Sequence, residues 1–115
     1  MLMLTILFYF SIQSSTANAE GTTLYVGASG PGHYATIQSA INDANTGDTV
    51  FVYGGTYYEN VILNKTIKLI GENRESTIIN GSNRSDVINI SADLANISGF
   101  TIQNGNYGWQ WNGRR

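Results

Sequence analysis

With 115 residues, 42% of them hydrophobic and 12% charged, the chain has room for one domain and the composition of a globular rather than a disordered protein. A net charge of −2 leaves no electrostatic footprint for nucleic acid, and the absence of cysteine excludes disulfides and thiolate metal sites. In chain order, Leu2 to Ile12 form an apolar run too short to span a bilayer, followed by a polar stretch ending in Ala17-Asn18-Ala19. Small residues at the −3 and −1 positions before Glu20 mark a secretory cleavage site, so residues 1–19 read as a signal peptide and the mature chain is expected to hold no membrane span. No Lys or Arg precedes the apolar run, and a buried apolar strand is the competing reading.

Residues 20–47 read as an N-terminal strand, a Gly-rich loop and a capping helix. Leu24-Tyr25-Val26 is a short strand, and Gly27 to Gly32 is rich in turn formers. That loop lacks the lysine and the glycine spacing of a phosphate cradle, so it reads as a turn. From Thr36 to Asn45 the spacing predicts a helix: Ile37, Ala40, Ile41 and Ala44 fall at i, i+3, i+4 and i+7, with Thr36 as N-cap and Asn45 with Gly47 as the stop.

Residues 48–105 carry the main pattern. Val50 and Val52 alternate with Thr49, Phe51 and Tyr53, and Ile67 and Leu69 alternate with Thr66 and Lys68, each run closed by glycine. Looser copies follow at Thr77 to Gly81, Val87 to Ile90 and Ala95 to Ile102. Aligned starts at Thr49, Thr66 and Ala95 are unequally spaced but close to the coil length of a β-solenoid. A β-sandwich gives similar short strands, whereas Gly and Asn at every corner, without a hairpin turn between equal strands, favour the solenoid. Asn60, Asn64, Asn73 and Asn80 stand at the corners, where they are expected to adopt left-handed backbone. In such a stack Val50, Val52, Ile67, Leu69, Ile97 and Ile102 form interior ladders, and the helix covers the open apolar end of the first coil.

Gly32 to Ile41, Gly47 to Tyr53 and Gly55 to Val61 (GTYYENV) resemble, in order, the opening of right-handed parallel β-helix proteins of the pectin-lyase-like class. The resemblance runs from Leu24 to about Gly105 and is nearest to archaeal and bacterial cell-surface proteins with NosD-type repeats; the opening is also similar to that of pectin methylesterases. It implies an all-β fold, a right-handed single-stranded parallel β-helix whose N-terminal coils carry a short amphipathic capping helix. It implies little about activity, because one fold hosts many functions. In pectin methylesterases the working aspartates, arginine and glutamines lie on coils past the opening motifs, and this chain has no matching segment.

No catalytic, cofactor or metal residue is therefore assigned. Tyr57 and Glu59 read as packing and as a turn or surface partner, and Asp86 and Asp93 as solvated turn carboxylates. Asp48, Glu72 and Glu75 lie near glycines but lack the series of a calcium loop. His33 is the only histidine and reads as a surface residue; copper handling would want clustered His, Met or Cys, and Met1 and Met3 both fall in the signal. Asn64, Asn80, Asn83, Asn89 and Asn96 satisfy the N-glycosylation sequon, with Asn96 expected to be hemmed in on its strand. Residues 106–115 read as the start of a further coil. There Tyr107, Trp109 and Trp111 alternate with small or polar residues, and offer either flat faces for stacking on sugar rings or rings that point into the next turn of core. With no C-terminal cap before Arg115, the chain is expected to be the N-terminal part of a longer secreted or cell-surface protein. Its expected role is structural or interactive, toward a cell-surface polysaccharide or surface-layer protein, with self-association through the open end; the alternative is the front of a pectin esterase or lyase whose catalytic coils are missing.

Overall fold

The alternation around Val50 has the consequence that a half-buried strand requires: Val50 and Val52 are fully buried while Thr49 and Phe51 lie on the other face. The computed structural model describes residues 21–106. In chain order the elements are β1 (Thr23–Val26), β2 (His33–Tyr34), α1 (Ile37–Asp43), β3 (Thr49–Val52), β4 (Gly55–Tyr58), β5 (Val61–Leu63), β6 (Lys68–Gly71), β7 (Thr77–Asn80), β8 (Ile88–Ile90), β9 (Asn96–Ser98) and β10 (Thr101–Gln103). All strand pairings are parallel.

The strands stack into three sheets. The first runs β2-β1-β3-β6-β9, the second β10-β7-β4, and the third pairs β5 with β8. From β3 on, the chain visits the first sheet, then the second, then the third, and each return lies one strand spacing further along. This is an all-β parallel β-helix of about four turns with one short helix. Within the first sheet Leu24, Val50, Leu69 and Ile97 occupy one register and form an inward ladder. Val61 and Leu63 from the third sheet and Ile79 from the second close the core from the other sides. A side chain such as Leu69, fully buried, contributes about 1.5–3 kcal/mol.

The register differs from the sequence expectation. Thr49 pairs with Lys68 and Lys68 with Asn96, where the aligned starts set Thr49 against Thr66 and Thr66 against Ala95. Ile67 is buried but belongs to the turn before β6, so it packs on the core without joining the ladder. Ile102 pairs with Ile79 yet is 50% exposed, because no described strand lies beyond it. At the end of β6, Gly71 meets the next coil so closely that an added Cβ would collide with the Gly99 carbonyl oxygen; only glycine fits.

The corners differ too. Non-glycine left-handed backbone occurs at Ala28, Ser82, Asn83, Leu94 and Asn104, and at none of Asn60, Asn64, Asn73 or Asn80. Three of these asparagines act through their side chains instead. The Asn60 amide donates to the Gly81 and Asp86 carbonyls, Asn73 accepts from the Glu75 N–H, and Asn80 accepts from the Ser82 N–H.

Helix α1 starts as expected, with the Thr36 hydroxyl accepting from the Ser39 N–H at 3.1 Å. It ends earlier than Asn45: Ala44 already has extended backbone, although its side chain stays buried. Ile37, Ala40, Ile41 and Ala44 all join the core, and α1 packs against β1, β3 and β5. Residues 1–19, expected to form a signal peptide, fall outside the described residues, Met1 and Met3 among them.

Candidate functional site

A helix of seven residues has too few internal bonds to persist alone, so its docking decides whether the cap exists. Two side chains from the coil beneath hold it, and one of its own reaches down to that coil. The Glu59 carboxylate accepts from the Ile37 N–H at 2.8 Å and the Gln38 N–H at 3.0 Å, at the positive end of the helix. At the other end the Lys65 ammonium donates to the Ile41, Asn42 and Ala44 carbonyls at 2.9, 2.7 and 2.7 Å. Between them the Gln38 amide takes both backbone groups of Ile62, accepting from its N–H at 2.8 Å and donating to its carbonyl at 3.1 Å. One side chain thus occupies the free edge of β5 as a neighbouring strand would.

Asp48 is the second structural anchor. It is 5% exposed and accepts from the Thr22 N–H and hydroxyl and from the Asn45 N–H. Those backbone donors, Asn45 first and then Thr22, hold its carboxyl below the ordinary value against the opposing effect of burial, with the Thr22 hydroxyl and the Lys65 charge adding to the lowering. Glu72 accepts from the Gly54 N–H at 2.8 Å. Tyr57, half-buried against the core, donates its hydroxyl to the Tyr53 carbonyl at 2.7 Å; burial raises its pKa, and the Glu59 and Glu72 charges raise it further. The phenol therefore stays protonated near neutrality.

The remaining carboxylates do not converge on these. Asp86 lines a shallow outer depression of about 380 Å³ with Asn60 and Asn89, Asp93 is exposed beyond β8, and Glu75 is exposed on a turn. Among the described residues no group of three or more His, Cys, Asp or Glu could hold a metal ion, and no helix is long and apolar enough to cross a membrane. Of the sequon asparagines, Asn64, Asn83, Asn89 and Asn96 are exposed. Asn80 is the enclosed one, at 9% exposure, because its side chain holds the turn after β7; Asn96 stands on β9 facing solvent. Tyr107, Trp109 and Trp111 lie outside the described residues.

A cluster that sequence reading missed lies on the outer face of the first sheet. Tyr25, His33, Phe51 and Tyr53 gather with ring centroids 5.2–6.1 Å apart. Tyr25 is 39% exposed, and the other three are partly exposed. The rings of Tyr25, His33 and Tyr53 are mutually near-parallel, with interplanar angles of 24°, 26° and 11°. Register brings them together: His33 and Phe51 flank Tyr25 on adjacent strands. The His33 ring is fixed by its Nδ1–H, which donates to the Gly27 carbonyl at 3.0 Å. The only signal in the sequence was that Tyr25, Phe51 and Tyr53 share one phase of alternation; the place of His33 depends on the fold of the loop.

The chain is 39% identical over 77 residues to a probable pectinesterase/pectinesterase inhibitor 6 of Arabidopsis thaliana, a match that takes in 59% of this chain. The matched stretch spans 13% of that protein's length. No protein-family model matches the chain, and no solved structure matches it. The parallel coils define a β-helix segment, and its sequence is similar to one part of a pectinesterase.

Proposed function

We propose that this segment serves an exported cell-surface protein, of the kind built from NosD-type repeats, as a scaffold that contacts polysaccharide through its outer aromatic face. The observation that carries this reading is the commitment of the carboxylates nearest the GTYYEN motif. Asp48, Glu59 and Glu72 are each engaged by backbone N–H groups of a neighbouring element, which suits a framework rather than proton transfer. The near-parallel rings of Tyr25, His33 and Tyr53 present apolar faces of the kind that stack on sugar rings. Export rests on the apolar run and the Ala17-Asn18-Ala19 site, and in a glycosylating host Asn64, Asn83, Asn89 and Asn96 are the accessible acceptors.

The test is electrophoresis of the purified chain through gels containing pectin, polygalacturonate or a neutral glucan. Retardation in at least one polysaccharide gel is expected, and Tyr25→Ala or Tyr53→Ala should weaken it about 2- to 10-fold. Migration unaffected by every polysaccharide contradicts the reading. The similarity to a pectinesterase favours a second reading, that the segment opens a polysaccharide-acting enzyme of pectin esterase or lyase type whose catalytic coils lie elsewhere. Methanol or unsaturated product released from pectin by a longer protein that carries this segment, and not by the segment alone, would put that reading first.

A further inference from the structure

The outer ring cluster has polar tips as well as apolar faces, and their chemistry narrows what it can hold. The Nδ1–H of His33 is taken by the Gly27 carbonyl at 3.0 Å, and a carbonyl oxygen can only accept. In the neutral ring this leaves Nε2 as a bare acceptor. Neither that nitrogen nor the hydroxyl of Tyr25 or Tyr53 has a hydrogen-bond partner among the described residues, where every buried side-chain nitrogen and oxygen has one. All three atoms therefore face solvent. Their rings have centroids 5.7, 5.9 and 6.1 Å apart, a near-equilateral triangle that a ligand of one or two sugar rings spans.

The polar set matches hydroxyls. A phenol both donates and accepts, and a sugar hydroxyl can donate to the Nε2 lone pair. An ionised carboxylate only accepts, so at Nε2 it would set lone pair against lone pair. The fixed charge beside the triangle is also negative. Glu72 bonds to both chain neighbours of Tyr53: its N–H donates to the Val52 carbonyl, and its carboxylate accepts from the Gly54 N–H. The cation of the first sheet, Lys68, stands off the triangle, paired with Thr49 two residues before Phe51.

We propose, resting on the polysaccharide contact and the signal removal proposed above, that the Tyr25, His33 and Tyr53 triangle is a subsite for a neutral sugar unit and that His33 is its specificity residue. The rings stack on the apolar face of the sugar while Nε2 accepts one of its hydroxyls. A uronate unit, whose carboxylate meets the Glu72 charge and a nitrogen lone pair, is held more weakly.

The test is electrophoresis of the signal-cleaved chain at about pH 8 through gels containing hydroxyethylcellulose, a galactomannan or polygalacturonate. At least one neutral polymer should bind more strongly than polygalacturonate, by about 5-fold or more. His33→Phe keeps a ring and removes the acceptor, and should weaken neutral binding about 2- to 10-fold. Tyr53→Phe removes only a hydroxyl that has no protein partner, so its melting should match the parent while neutral binding weakens about 2- to 5-fold. That variant keeps the test decisive should His33→Phe disturb the loop it bonds to. Polygalacturonate binding as strong as or stronger than that of both neutral polymers overturns the subsite and leaves the polysaccharide reading standing. Neutral binding that neither variant weakens also overturns it, by placing the sugar elsewhere on the chain. Migration unaffected by all three polymers overturns both.

Discussion

The capped end and the open end solve, and leave unsolved, the same physical problem. A stack of parallel coils ends in an apolar cross-section and a row of backbone groups, and both must be covered. At the capped end one short element does both: Ile37, Ala40 and Ile41 cover the core while Gln38 satisfies the strand edge. The helix in turn depends on Glu59 and Lys65 from the coil it covers. At the other end the first-sheet ladder stops at Ile97 and the second sheet stops at β10, and the described residues bring neither helix nor amide to them. An end of a β-helix is therefore a polar as well as an apolar construction.

The contrast can be broken most strongly at the ladder between the two ends. Leu69→Ala removes a fully buried side chain with neighbours in the coils before and after it, and should cost about 2–5 kcal/mol in urea-induced unfolding. Glu59→Ala comes next. It strips two helix N–H groups of their acceptor and should cost about 1–3 kcal/mol. Gln38→Ala measured in the same series sharpens the comparison, because the double variant should lose less than the sum if both act through one docked helix. The smallest effect is a pH dependence. The Asp48 carboxyl has a lowered pKa, so its contribution is complete above the ordinary carboxylate range near pH 4 and fades as pH falls toward the lowered native value. Thermal melts between about pH 2 and 7 should show an acid-side loss of stability that Asp48→Asn reduces.

How much of this was legible follows from which interactions are local. The inward phase of Val50, Val52 and Leu69 was readable because a strand alternates within its own few residues. Register was not readable, since Ile67 is apolar and in phase with Leu69 yet belongs to the turn, and nothing local distinguishes a buried turn residue from the first residue of β6. The Thr36 cap was readable from its position before an i, i+3, i+4, i+7 pattern, but the end of α1 was misplaced because Ala44 keeps the apolar phase after its backbone has become extended. The partners of the helix could not be seen at all: Glu59 and Lys65 reach it from more than 20 residues away. Corner asparagines were identified correctly as turn residues and wrongly as left-handed ones, because Asn60, Asn73 and Asn80 hold their turns by side-chain hydrogen bonds. The aromatic cluster depends on register between β1, β2 and β3, which composition does not encode.

The measurement closest to the central claim is amide hydrogen exchange on the intact chain. Protection should be greatest in β3 and β6, between Val50 and Leu69, should persist through α1 and β5, and should fall steadily toward β9 and β10. Exchange that begins at α1 and β5, or protection in β9 and β10 equal to that of β3, would contradict the account in which the described coils are sealed at the helix end and not at the other.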